Sequence, residues 1–351
     1  MDGVELLIEI NKKHSSLFVS MQDERKRYRG EHSTEIAALK CMDGRINLPV
    51  ITNTPPGIIQ PFRNLGGEFN FGWPHFQDLI RGWIEYSLGR GRRCILLVTY
   101  HFARNEKHRG CRGFNYDVEA ARSFTSRLRD KFTELHPLRG TVAAIQIGID
   151  TDTDGLILHG DNGEIIDLAE LASSVADDEL LSILVRIYPE LSSKMTQDLL
   201  PLISGNIARI AEIKKLNRPP EEADHMEWVL GMGRGFDWLH LPNTALIVGP
   251  FSPNLSIPIA TAAGIIKSNI DEGRIPKDKK IVLLASAPYR DASERLYMIE
   301  KARFFRDFAY ETVIKAAPSL KLQLHTLTVT VDMNTRLFDL KEKDDEFEKS
   351  A

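Results

Sequence analysis

Cysteine is scarce in this chain: Cys41, Cys94 and Cys111 are the three among 351 residues. A small, odd number excludes a disulfide framework and fits a reducing compartment, where thiols stay free to bind metal. All three lie early in the chain, so thiolate chemistry belongs to its N-terminal half. Long apolar runs are missing too, and no membrane span is expected. The start, Met1-Asp2-Gly3-Val4-Glu5, has no basic segment leading into an apolar core, so no signal peptide is expected and the expected location is the cytoplasm. Nor is there an excess of one charge: a formal net charge of -4 gives no basis for nucleic acid or an anionic membrane as partner.

What is present begins with length. A chain of 351 residues exceeds what one core usually serves, which predicts two domains. The densest chemistry is in Cys41-Met42-Asp43-Gly44-Arg45, after an apolar run over 36–39 that reads as a strand. If the extended backbone continues, the thiol, carboxylate and guanidinium share a face. That set could bind a metal through the thiolate, with the carboxylate oriented by the arginine. On the pentapeptide alone, a buried cysteine beside a surface Asp–Arg pair is the favoured reading.

The rest of the pattern is α/β. Residues 3–28 read as a helix with Leu6, Ile10, Leu17 and Met21 toward one face. Residues 58–67 read as a second strand ending in Gly66-Gly67, where either a plain turn or a close backbone approach is expected. A helix is predicted over 74–88, with proline at its start. Residues 94–101 form a continuous apolar run ending in His101, the mark of a central parallel strand, with Cys94 filling core. A glycine-bearing loop then carries His108 and Cys111, followed by a helix over 116–135 and a strand over 142–149. Strand and helix alternating in this way imply a mostly parallel sheet with helices on both faces. Asp150-Thr151-Asp152-Thr153-Asp154-Gly155 opens like a calcium loop, but position twelve is Asp161 and strand-like sequence replaces the flanking helices, so turns are expected. Asn162-Gly163 marks a hairpin.

The last third repeats the order of the first half. Gly233-Arg234-Gly235-Phe236-Asp237-Trp238-Leu239 stands where the Cys41 motif stood, and 281–289 echoes 95–101. The second copy has no cysteine, and Ala287-Pro288-Tyr289 replaces the strand-end histidine, so it cannot supply the same metal ligands.

Taken as a set, Cys41-Met42-Asp43-Gly44-Arg45, Pro56-Gly57, Arg63-Asn64-Leu65-Gly66-Gly67, the helix with Trp83-Ile84-Glu85-Tyr86, the strand ending in His101, and Gly110-Cys111-Arg112-Gly113 resemble the β-class carbonic anhydrases. The lengthened His-to-Cys loop and the degenerate second copy are similar to the carboxysomal shell branch. The resemblance covers about residues 35–340. Two histidines compete as ligand. His108, three residues before Cys111, keeps the usual spacing, whereas His101, ten before it, keeps the place at the strand end, the more rigid platform. The branch pattern favours His101.

The resemblance implies two tandem carbonic-anhydrase-like α/β domains after an N-terminal helical segment: 1–34 helical, 35–205 zinc-binding and catalytic, 206–351 a degenerate copy without metal ligands. It implies Zn2+ held by Cys41, His101 and Cys111. Asp43, held by Arg45, orients the nucleophile for reversible hydration of carbon dioxide to bicarbonate, and can itself take the fourth zinc position if Arg45 lets go. His108 is a candidate proton shuttle. Implied partners are further copies of the chain, as a homodimer or larger homo-oligomer, and Rubisco or the carboxysome shell. The implied location is the cytoplasm, within a carboxysome. The branch carries a long extra N-terminal region, whereas about 34 residues precede the first strand here. Two alternatives stand beside hydration: hydrolysis of carbon disulfide or carbonyl sulfide on the same site, and a non-catalytic zinc-binding subunit of a carboxysome or inorganic-carbon uptake assembly. Intact Asp43 and Arg45 argue against the last.

Overall fold

The structure is a computed structural model that describes residues 3–171, 174–216, 218–234 and 241–343. Two helices lead, α1 (Gly3–Ser20) and α2 (Gln22–Glu31). Then come β1 (Thr34–Cys41), α3 (Leu48–Ile51), β2 (Ile59–Asn64), α4 (Pro74–Leu88), β3 (Arg93–Phe102), α5 (Val118–Leu135) and β4 (Val142–Asp150). A hairpin of β5 (Gly155–His159) and β6 (Ile165–Asp167) precedes α6 (Asp177–Ile187) and α7 (Ser193–Leu216). The remainder is α8 (Pro220–Ala223), β7 (Val229–Gly233), β8 (Ala245–Val248), α9 (Ser256–Asp271), β9 (Ile281–Tyr289), α10 (Arg295–Ala316), β10 (Leu324–Asp332) and β11 (Phe338–Lys343). No helix among the described residues is long and apolar enough to cross a membrane.

The first sheet has the order β2-β1-β3-β4-β5-β6 and the second β8-β7-β9-β10-β11. In each, the first four strands are parallel and β5 or β11 returns antiparallel. The shared order is that of two tandem α/β copies flanked by helices. β3 lies between β1 and β4, which explains its unbroken apolar run: both of its faces are covered. Cys94, at its start, is buried in the core, and burial pushes its thiol up to about 11. The expected helix over 74–88 is α4, and Asp117 caps α5 by accepting from the Ala120 N–H.

The leading helix departs from its expected form. It breaks at Met21, and α1 buries Val4, Leu7, Asn11, Ser15 and Phe18, whereas Leu17 is exposed. Two of those buried positions are polar, which a search for apolar spacing passes over. Asn11 Nδ2 donates to the Arg336 carbonyl, Asn11 Oδ1 accepts from the Phe338 N–H, and Ser15 donates to the Thr335 carbonyl. These bonds seat α1 on the second sheet of its own chain. Past Phe18 the apolar stripe stops. α2 buries only Arg25, whose guanidinium lies 3.6 Å from the Phe18 ring centre.

The two sheets share a core. One hydrophobic cluster runs from Val4 through both sheets to Val331. On the other face, Phe251 of the second copy inserts among Phe62, Phe69 and Phe76 of the first, 5.3 Å from Phe62. Backbone bonds cross the seam: Gly44 N–H to the Ala245 carbonyl (3.0 Å), Ile247 N–H to Met42 (2.6 Å), and Gly249 N–H to Arg63 (3.2 Å).

Helix α7 closes the first sheet's ligand-end loops from behind. It is continuous through Gly205 and Asn206. Asn206, fully buried, donates to the Ile51 and Asp154 carbonyls and accepts from the Leu156 N–H. A Cβ on Gly205 would stand 2.1 Å from the Thr52 carbonyl oxygen. The Gly205→Ala variant must therefore push α7 off that backbone. It is expected to lower stability by about 1–3 kcal/mol, read as a shifted urea midpoint at unchanged slope.

Candidate metal centre

The site forms where β1 and β3, adjacent and parallel, reach their carboxyl ends, the usual place for ligands in an open α/β sheet. Cys41 is the last residue of β1 and His101 sits near the end of β3. Cys111 arrives from the following loop, its carbonyl accepting from the Phe114 and Tyr116 N–H groups. The ligand atoms of Cys41, His101 and Cys111 lie within 4.8 Å of one another, and all three residues are buried.

The glycine pair decides this convergence. Gly66 and Gly67 both have positive φ, +63° and +69°. A Cβ on Gly67 would approach the Thr99 carbonyl at 3.1 Å and the Cys41 nitrogen at 3.5 Å. A Cβ on Gly113 would meet the Gly66 Cα at 2.7 Å. Of the two readings open for this pair, close backbone approach is the one the structure shows: three backbones pass too near for side chains, and that nearness carries the Cys111 loop over Cys41.

The set fits a metal ion. The two Sγ atoms are 3.9 Å apart, and both thiols are free. A disulfide needs about 2.05 Å, whereas two zinc–sulfur bonds of about 2.3 Å in a tetrahedron place the sulfurs about 3.8 Å apart. Both ring nitrogens of His101, 3% exposed, are buried with no hydrogen-bond partner. An imidazole left so in a protein interior is costly unless something completes it. The hydrogen bond from Cys111 holds the Cys41 thiol well below its usual range and pushes that of Cys111 above it; His101 adds to the first effect. The contact thus favours ionisation of one thiol of the pair.

Asp43 and Arg45 do not continue the strand. β1 ends at Cys41, Asp43 makes a lone antiparallel bridge to Leu246, and Arg45 lies in a turn. The cause is the seam: the backbone of 42–44 is captured by β8, and a Cβ on Gly44 would stand 2.6 Å from the Ala245 and Pro242 carbonyls. Arg63 holds the segment from the other side, donating to the Cys41 (3.0 Å), Asp43 (2.7 Å) and Ile46 (2.9 Å) carbonyls.

The pair itself is tight. Arg45 Nη2 donates to Asp43 Oδ2 at 2.6 Å, and its Nε and backbone N–H donate to Oδ1 at 3.1 and 2.9 Å. Burial alone would raise the Asp43 pKa, but the Arg45 charge and hydrogen bonds hold it well below the carboxylate range. Asp43 Oδ2 is 4.0 Å from His101 Nε2, so this ionised acceptor faces the ligand set. Arg45 reaches further. Its Nη1 donates to the Ala223 carbonyl at 2.7 Å, and its Nη2 faces the Arg109 carbonyl at 2.8 Å and His225 Nε2 at 3.0 Å. His225 and Ala223 come from the second copy and belong to no motif in the sequence.

His108 is elsewhere. It is exposed, with its ring against Tyr116 at 5.3 Å, and it is not grouped with the thiols. The acidic turn Asp150–Asp154 is taken up by arginines: Arg104 pairs with Asp150, and Arg209 and Arg218 with Asp154. Asp43, His225 and Glu227 also converge within metal-ligand range, but the Arg45 guanidinium lies among them and His225 Nδ1 is spent on Glu227 at 2.6 Å. Residues 235–239 of the second copy's counterpart motif lie outside the described residues.

Two thiols, an imidazole and an ionised carboxylate facing them, at the ends of parallel strands, make up a candidate metal centre of the catalytic type. Relatives give it a context. The carboxysome shell carbonic anhydrase of Parasynechococcus marenigrum (strain WH8102) is 26% identical over 237 residues, covering 58% of this chain and 40% of that one. Those of Prochlorococcus marinus strain MIT 9313 and of Prochlorococcus marinus subsp. pastoris (strain CCMP1986 / NIES-2087 / MED4) are 28% identical over 237 residues and 24% over 264, covering 58% and 64% of this chain and 45% and 51% of theirs. The chain is distantly related to this branch and spans about half the length of these relatives. No protein-family model matches. A solved hypothetical protein from Thermus thermophilus aligns over 95% of this chain and 85% of its own at 12% identity, with a TM-score of 0.25 that carries no argument.

The geometry predicts about one zinc per chain after dialysis. His101→Ala should lose most of it and His108→Ala none, measured by metal analysis under reducing conditions. Two zincs per chain would contradict a second copy without ligands.

Proposed function

We propose that this chain catalyses the zinc-dependent, reversible hydration of carbon dioxide to bicarbonate. The observation that carries the proposal is the partnerless, buried His101 beside two unbridged thiols, with the Asp43 carboxylate held ionised near it by Arg45. Cys41, His101 and Cys111 would hold the zinc, which when bound supplies the Lewis acidity that ionises water near neutral pH. Asp43 Oδ2 can only accept, because Arg45 keeps it charged. It takes a hydrogen bond from the attacking oxygen and so aims a lone pair at the carbon. Arg63 keeps the Cys41 and Asp43 backbones in register with each other through two of its N–H bonds. In this reading the zinc-binding unit begins at about residue 35 and extends past 205 to the end of α7, and the remainder to 351 is a degenerate copy that lends structure. Carboxysome residence, contact with its shell or Rubisco, and self-association belong to the same proposal; the relatives' names support residence in a carboxysome and its shell.

Stopped-flow hydration of carbon dioxide by the zinc-loaded, reduced protein tests it. Wild type should be active, and Asp43→Ala should lose about 10- to 100-fold while retaining zinc. Inactive wild type with zinc bound would sink the proposal. A higher turnover of carbon disulfide than of carbon dioxide would move the substrate instead.

A further inference from the structure

The accounting of Arg45 points to a role for the second copy that the ligand set does not contain. The guanidinium is buried, and its donors are met by Asp43, the Ala223 and Arg109 carbonyls and His225 Nε2. An arginine has no acceptor, so His225 Nε2 must face it with a lone pair. The proton of His225 is therefore on Nδ1, where Glu227 Oε1 accepts it at 2.6 Å. Glu227, fully buried, accepts at Oε2 from Asn269 Nδ2 at 2.8 Å, and Asn269 Oδ1 accepts from Arg274 Nε at 2.9 Å. A buried relay thus runs from α9 to the metal centre and sets one tautomer of one histidine. Its terminus is Arg45 Nη2, the nitrogen that also donates to Asp43 Oδ2.

Space is available for Arg45 to leave. A cavity of about 280 Å³ opens beside it, lined by Asn47, Thr151, Asp154, Arg209 and Glu222 among others. The cavity leaves the guanidinium room to move, so besides the ion pair with Asp43 its other acceptors fix where it sits.

We infer that His225 is a positioning residue: from the second copy, it pins Arg45 on Asp43 and thereby keeps the Asp43 carboxylate off the fourth metal position. The inference rests on the zinc reading above. It also gives the degenerate copy a function, because the elements that would have built a second site now fix the geometry of the first.

The test compares two substitutions. In His225→Gln the side-chain carbonyl reaches the place of Nε2 and can still accept from Arg45. In His225→Asn the side chain reaches only the place of Nδ1 and leaves Arg45 untethered. The cobalt-substituted full chain is titrated from about pH 6 to 9 by visible absorption, with metal content measured alongside. Wild type and His225→Gln should share a pH-dependent spectrum, the sign of a ligand water that ionises. His225→Asn should bind metal in equal amount but show a spectrum flat across that range, the carboxylate having replaced the water. Its zinc form should lose about 10- to 100-fold in hydration rate at neutral pH. A titrating, wild-type spectrum in His225→Asn, or a flat one in His225→Gln, overturns the inference. Should His225→Asn not fold, His225→Leu carries the same expectation. Failure of zinc-loaded wild type to hydrate carbon dioxide counts against the activity alone, since the tether is read from the cobalt spectrum.

Discussion

A guanidinium taken out of water must find acceptors for its N–H groups, and Arg45 finds them on three separate pieces of chain. Asp43 is its own neighbour, the Arg109 carbonyl belongs to the loop that delivers Cys111, and Ala223 with His225 opens the second copy. Removing the Asp43 carboxylate would leave a buried charge unpaired, at a cost of several kcal/mol. The loop, the seam between sheets and the carboxylate at the candidate metal centre are therefore set together. Asp43 is an ionised acceptor because Arg45 is there, and Arg45 is there because the second copy meets its outer face.

This dependence explains why the two copies differ. Both have the same strand order, and the first carries all the thiols. The second contributes backbone and buried polar groups: the edge of β8 that captures residues 42–44, Phe251 in the aromatic cluster, and the His225–Glu227–Asn269 relay. Its first strand ends in Gly233, where a Cβ would lie 1.9 Å from the Ser286 carbonyl oxygen, so that strand end is closed against its neighbour. Cys41, by contrast, ends β1 where the Cys111 loop converges on it.

Much of the architecture was legible in residue order because it follows from short-range periodicity. The run at β3, the proline-led α4 and the Asn-Gly hairpin each signal themselves within a dozen residues, and the repeat follows from their order. The face of α1 was not legible, since Asn11 and Ser15 are buried for the carbonyls of Arg336 and Thr335, more than 300 residues away. Nor was the departure of Asp43 and Arg45 from the strand, which β8 imposes from outside the motif.

The same division holds at the site. Residue types alone determined that thiolate, imidazole, carboxylate and guanidinium chemistry were available in the first half, and that the second half lacked the thiols. Periodicity put His101 at the end of a central strand. Only the tertiary structure placed that histidine, partnerless, beside the two sulfurs while leaving His108 in solvent, and only it brought His225 to Arg45. The reason is physical. Periodicity reports which face of an element is apolar, a local property. The partner of a buried polar group is chosen by whatever donors and acceptors the fold brings near, and that choice is written across the whole chain.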